Sequence, residues 1–210
     1  MKISMRFLVG GLFAIAVAVA TASSSNASFL FNTGLGAVGT SDLNYTVSPP
    51  SAQAIVIANN PNWLANDGTS KWISAVVNGG INDVAGGTYT FSTIFDLTPF
   101  VPGSVSITGR WLSDNAASLN LNGGSQLSSR PQANFTDWTS FTISSGFLAA
   151  SNTLNFVVFN GLGNIPQNSP MGLRVEFTQL STVAVPLPAA ALLFVTGLPC
   201  LGLVLRRKKK

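Results

Sequence analysis

The sequence predicts an all-β fold, a two-sheet antiparallel β-sandwich of the jelly-roll kind, with an apolar segment at each end of the chain. Three observations carry that prediction. Between residues 29 and 185, short runs rich in Val, Ile, Thr and aromatic residues alternate with polar punctuation. The punctuation is explicit turn chemistry: Asn78-Gly79-Gly80, Ala85-Gly86-Gly87, Pro102-Gly103, Asn122-Gly123-Gly124 and Asn160-Gly161. No 3.6-residue apolar period there is long enough for a substantial helix, and Ser144 to Ala150 has room for a turn or two at most.

In chain order, Met1 to Arg6 is a short basic region and Phe7 to Ala20 a mostly apolar run. Small residues follow at Ala20-Thr21-Ala22 and Ser25-Asn26-Ala27, where a signal peptidase reads its site. Residues 1–27 are therefore expected to be a signal peptide cut after Ala27, with Ala22 as the alternative cut and an uncleaved anchor as the competing reading.

Residues 28–184 form the expected sandwich domain. Its strands are Ala54 to Ala58, Trp72 to Val77, Thr88 to Asp96, Ser104 to Trp111, Ser118 to Leu121, Thr139 to Ile143, Asn152 to Phe159, and Leu173 to Leu180. Tyr89, Phe91 and Phe95 share one parity, which collects their rings on one face. Val105, Ile107 and Trp111 share another, opposite Ser106, Thr108 and Arg110. Leu173, Val175 and Phe177 repeat the pattern against Arg174 and Glu176, which reads as a wet outer face. A domain this long can bury roughly two thirds of its unfolded surface without disulfides.

Residues 185–210 close the chain with Val185-Pro186-Leu187-Pro188-Ala189, an apolar run to Leu205, and Arg206-Arg207-Lys208-Lys209-Lys210. No charged side chain occurs between Glu176 and Arg206. The 19 residues from Leu187 to Leu205 would rise roughly 28 Å as a helix, about the hydrocarbon thickness of a bilayer. The basic run after the span is expected to stay cytoplasmic while the mature N-terminus is exported. A single-span anchor without further processing is the simpler alternative.

Charge and composition exclude several function classes. The net charge of +4 arises at the termini; between Phe29 and Val185 four basic residues face seven acidic ones, a net of −3. No basic stripe tracks a phosphate backbone, so no nucleic-acid partner is expected. Histidine is absent and Cys200, in the tail, is the one cysteine. This leaves the exported domain without a disulfide, a His/Cys zinc cluster or the histidine base of common Ser and Cys triads.

Candidate chemistry concentrates in Thr108 to Asn115. Arg110 and Trp111 at a strand end, with Asp114 and Asn115 in the loop after it, are materials for sugar recognition: a ring stacks on an apolar sugar face while amide and carboxylate groups take hydroxyls. Trp63, after Asn59-Asn60-Pro61-Asn62, joins them as a candidate exposed stacking platform. The competing reading makes Trp111 core by parity, Arg110 a solvated face and Asp114-Asn115 an ordinary turn. Trp72 reads as packed, and Trp138 as capping the sandwich or lining a groove.

Asp42, Asp67, Asn82 and Asp83 are candidates for a structural calcium ion, although their spacing matches no dedicated loop; as turn residues they would bond their own backbone. Glycoside hydrolysis needs paired carboxylates. Glu176 is the only glutamate, and nothing in the sequence brings Asp114 to Asp137. A non-catalytic protein with no cofactor is expected.

The tail from Val185 to Lys210 resembles the PEP-CTERM sorting signals in their Val-Pro-Leu-Pro-Ala variant, with motif, span and basic end in order. Leu187 stands where the founding motif has an acidic residue. The resemblance implies an exosortase-type membrane protease as partner and cleavage near the prolines. It also implies passage through the inner membrane to the surface or extracellular polysaccharide matrix of a Gram-negative bacterium.

From Trp72 to Glu176 the chain also resembles galactose-binding-like β-sandwiches. The matching pieces are Trp72-Ile73-Ser74, Gly87 to Phe91, Thr108 to Asn115, Leu119 to Gly123, Asn152 to Val158, and Gly172 to Glu176. That resemblance implies the fold, with the Asn-Gly turn and the Asn-Thr-Leu strand structural. Together the readings predict a carbohydrate-associated surface module, with a purely structural surface protein and a glycan hydrolase as alternatives.

Overall fold

In a computed structural model of the chain, residues 30–98, 100–131 and 135–183 are described. The expected signal peptide, the motif Val185 to Ala189, the apolar span and the basic tail lie outside them. No helix among the described residues is long and apolar enough to cross a membrane.

The domain is all-β. Its strands are β1 (Ser41–Ser48), β2 (Ala52–Val56), β3 (Ile73–Ser74), β4 (Gly87–Asp96), β5 (Ser106–Asp114), β6 (Ala116–Leu121), β7 (Gln126–Arg130), β8 (Thr139–Ile143), β9 (Ser151–Leu162), β10 (Ile165–Pro166) and β11 (Gly172–Ser181). One 3₁₀ turn, Pro102–Ser104, joins β4 to β5. The strands pair antiparallel in the order β7-β6-β9-β4-β1-β2-β3-β11-β5-β8, with β10 attached to β9. Hydrogen bonding therefore runs through one continuous sheet, which folds over itself and nearly closes into a barrel-like sandwich.

The aromatic parities place their residues as the alternation predicts. Phe91, Phe95, Val105, Ile107, Trp111, Leu173 and Val175 are all buried. Trp111 of β5 meets Phe156 of β9 with ring centroids 5.5 Å apart, although β5 and β9 share no ladder. That contact crosses the interior and shows the two halves of the sheet facing each other. Full burial of such side chains stabilises the fold by about 1.5–3 kcal/mol each.

Three strands go beyond the expected eight: β1, β7 and β10. Each sends few apolar residues inward. Tyr45 and Val47 are the buried apolar residues of β1, and the buried residue of β7 is Arg130. The expected strand Trp72 to Val77 shrinks to Ile73–Ser74, because the chain turns at once through Asn78 with φ +63°.

Arg130 ties the ends of the ladder together. From β7 its guanidinium donates to the Trp111 carbonyl (2.9 Å), to the Asp137 carbonyl (2.9 Å) and to the Thr139 hydroxyl at the start of β8. Burial lowers its pKa to about 10, against the pull of the Asp137 carboxylate.

Candidate functional site

The densest set of polar and aromatic side chains lies on the outer face of β11 and β5, under the loop from Ile57 to Trp72. Asn60 begins the fold of this loop: its side-chain oxygen accepts from the Asn62 amide (2.9 Å) and its carbonyl from the Trp63 amide (3.0 Å). The turn swings Trp63 inward onto Trp72, with ring centroids 4.5 Å apart. Ile57, Trp63, Trp72 and Leu112 make a second, smaller core, with Leu64, Phe135 and Trp138 packed against it. The Trp72 indole N–H donates to the Leu64 carbonyl at 2.8 Å, which satisfies its one polar group.

Arg174 fastens the loop from below. Fully buried, it donates to the Ser70 hydroxyl (2.6 Å), to the Ala65 carbonyl and to Asp67 Oδ2 (2.7 Å). Glu176, 2% exposed, accepts from the Ser70 hydroxyl (2.7 Å) and from Arg110 Nε (2.7 Å). The Trp138 ring lies 4.4 Å from the Arg110 guanidinium and 5.0 Å from that of Arg174. Such contacts are worth about 0.5–2 kcal/mol, more as they are desolvated. The expectation of a wet face at Arg174 and Glu176 is therefore corrected: the alternation in β11 is real, but the loop covers its outer side.

The five candidate sugar contacts divide accordingly. Trp63 is 5% exposed and Trp111 fully buried, so neither ring offers a face to a ligand; this corrects the expectation of an exposed platform at Trp63. Trp111 has the core position that its parity with Val105 and Ile107 indicates. Asp114 is 7% exposed at the end of β5, opposite Gly172 of β11. Burial raises its carboxyl pKa to about 6, against the opposing pull of a hydrogen bond from Trp63. Asn115 is half-buried; its side-chain oxygen accepts from the Ser169 hydroxyl at 3.4 Å and its carbonyl from the Ser113 hydroxyl at 2.8 Å. Arg110 keeps 42% of its side chain exposed but is committed to Glu176. Trp63 and Asp114 do meet, as the reading of one cluster requires, but they meet inside the protein.

Two of the four calcium candidates, Asp42 and Asp67, hold backbone amides. Asp42 accepts from the amides of Gly34 (2.7 Å) and Asn44 (2.9 Å), and burial raises its pKa despite those bonds. Asp67 accepts from Thr69 (2.7 Å) and Ser70 (3.0 Å). Burial pushes its carboxyl up, but these amides and Arg174 outweigh it and hold the pKa low. Asn82 and Asp83 are exposed. Among the described residues no group of three or more His, Cys, Asp or Glu gathers to hold a metal. Turn chemistry describes Asp42 and Asp67. Asp137, exposed, accepts from the Thr136 hydroxyl (2.9 Å), a bond separate from the buried Asp114.

The clasp by Arg174, Ser70 and Glu176 was missed from sequence because alternation assigns a side chain to a face without saying what covers that face. The available signal was an Arg and a Glu in one strand beneath a long loop rich in Asn, Asp and Trp. Comparison with family models and with curated proteins found no match to this chain.

Proposed function

We propose that the chain is an exported, non-catalytic β-sandwich module, sorted by an exosortase-type membrane protease to the cell surface or extracellular matrix of a Gram-negative bacterium. There the domain serves as a packed structural unit. The observation that carries the structural reading is the burial of Trp63, Trp72 and Trp111, rings that a sugar-binding loop would have presented to solvent. Sugar contact through the group from Trp63 to Asn115 is set aside on that ground.

The carboxylates support the non-catalytic part. Asp42, Asp67 and Glu176 are occupied with backbone amides, Ser70 and the two arginines. The destination rests on the sequence of the ends: a leader at one, and at the other the Val185 to Ala189 motif, apolar span and basic run in order.

The test is to produce the full-length chain in a polysaccharide-secreting Gram-negative host with an exosortase and to sequence both termini of the surface pool by mass spectrometry. The expected protein begins at Ser28 and lacks Lys210. An intact Lys210 in that pool overturns the processing step, and retention inside the cell with residues 1–27 attached overturns export.

A further inference from the structure

We propose that the end of the sandwich from which the chain leaves at Val183 docks on a lipid bilayer, with Val101, Leu148 and Val183 entering the headgroup region. This rests on the reading of Leu187 to Leu205 as a bilayer span. Three connections and the residues after β11 build that end of the fold. Asp96 closes β4 opposite Ser151, where β9 opens, and the Leu97 amide donates to the Ala150 carbonyl (3.0 Å). Asn122, after β6, donates to the Gly146 carbonyl (3.2 Å) and to Asn152 Oδ1 (3.0 Å). The Val101 amide donates to the Val183 carbonyl (2.9 Å), which fastens the chain exit to the turn before β5.

The length of the connection sets the distance to the bilayer. Four residue steps carry Val183 to Leu187, where the apolar run begins. Fully extended, they reach at most about 14 Å. The headgroup layer takes up about 6 Å of that. The exit end of the domain is therefore held within about 8 Å of the headgroups.

The side chains exposed at this end suit that neighbour. Leu148 is 56%, Val183 45% and Val101 38% exposed. Their backbone is already prepared for the loss of water. The Leu148 amide donates to Asn152 Oδ1 (2.8 Å) and its carbonyl accepts from Asn152 Nδ2 (3.0 Å). The Val183 amide donates to Ser104 Oγ (2.9 Å), and the Val101 carbonyl accepts from the Ser104 amide (2.9 Å). Each of the three thus has both its N–H and its C=O paired within the protein. That is the condition for entering a medium with little water to offer.

Charge and area select lipid over a protein partner. No charged residue occurs in 97–104, 121–125, 144–150 or 181–184. Asp96, exposed at the border, is held ionised by the Thr98 hydroxyl and amide, which limits how deep this end can sink. Three apolar side chains on separate loops are too little for a stable protein interface, which takes roughly 800 Å² per partner. A bilayer interface demands no matching shape, and a span in the same chain keeps it close at hand. The β10 hairpin also exposes Leu162 and Ile165, but at the far end of the 12-residue β9, about 36 Å away.

The experiment uses the full chain, exported by a Gram-negative host that has no exosortase and reconstituted in vesicles of phosphatidylethanolamine and phosphatidylglycerol. A bimane label is placed at Ala149→Cys or, as control, at Ile165→Cys, each with Cys200→Ser; a third protein carries it on Cys200 itself. Lipid with a nitroxide near the headgroup should quench the Ala149→Cys label at least about twofold and leave the Ile165→Cys label unchanged. Leu148→Asp and Val101→Asp should each remove at least about half of that quenching. Near-UV circular dichroism checks folding, and Val183→Asp replaces any variant that fails it. A nitroxide deep in the acyl chains should quench the Cys200 label, which tests the span separately. Quenching at Cys200 without quenching at Ala149→Cys overturns the docking and leaves the span standing. So does equal quenching at Ile165→Cys, or quenching at Ala149→Cys that the aspartate variants leave intact. No quenching at Cys200 overturns the span and the docking with it.

Discussion

Gly172 opens β11 directly beneath the Trp63–Trp72 pair. A Cβ there would lie 2.9 Å from the Trp63 ring and 3.1 Å from the Trp72 ring, and neither rigid ring can give way by rotating a flexible end. Gly172→Ala should therefore destabilise the protein by about 1–3 kcal/mol, read as a lower urea midpoint. Its neighbour across the ladder, Asp114, makes stability depend on pH. Unfolded, its carboxyl titrates at about 3.9; folded, burial raises it to about 6. Between those values the folded protein binds more protons. This contribution is thus fully present below the unfolded pKa and is lost as pH rises through the folded one, at most about 3 kcal/mol. Asp114→Asn should remove this slope: against the parent, its relative stability should improve from about pH 4 to about pH 7 in urea titrations. A parallel pH dependence in parent and variant would assign the slope to other groups. At this scale legibility followed regularity. Trp111 was readable because strand parity is a local rule, whereas Trp63 follows Asn60-Pro61-Asn62 and is buried only because the whole loop folds down.

The loop from Ile57 to Trp72 behaves as an element although it contains no regular strand or helix. Its inner side is apolar through Trp63 and Leu64, and its far end is held by Ser70 and Asp67 to Arg174. Replacing Arg174 with Met removes the charge that Asp67 and Ser70 face and leaves Glu176 with Arg110 and the Ser70 hydroxyl. Asp67 is half exposed and rehydrates when the cation goes, so the cost is that of the lost charge-assisted hydrogen bonds, about 1–3 kcal/mol. The expected consequence is local as well as global: limited proteolysis of Arg174→Met should cut between Asn59 and Lys71, where the parent resists. Unchanged resistance would mean that the tryptophan packing alone holds the loop. Of the eight strands that the sequence predicts, β4, β5, β9 and β11 carry the long alternating patterns. Those it missed draw their places from neighbours: β1 by pairing to β2 and β4, and β7 by pairing to β6 and by the reach of Arg130 toward β8. Sheet order was equally out of reach, since pairing partners such as β5 and β11 lie far apart in the chain.

At the scale of the whole molecule, charge separates the domain from its ends. Seven of the eleven basic residues lie in residues 2–6 and 206–210, while all seven acidic residues lie between them. The four cations of the domain are all engaged: Lys71 with the Gly34 and Gly36 carbonyls, Arg110 with Glu176, Arg130 with the β7–β8 seam, and Arg174 with the loop. The domain therefore offers little free positive charge to an anionic partner. The same asymmetry makes processing visible without sequencing. The intact chain has a pI of about 9.6, whereas a product lacking residues 1–27 and the basic tail keeps the net −3 of its interior. Isoelectric focusing of the surface pool should then show an acidic band, below about pH 7. Removal of the leader alone would leave five consecutive cations on a domain of net −3 and a band still on the basic side of neutrality. A basic surface band would thus mean that the tail stays on and that the protein is held by an intact anchor.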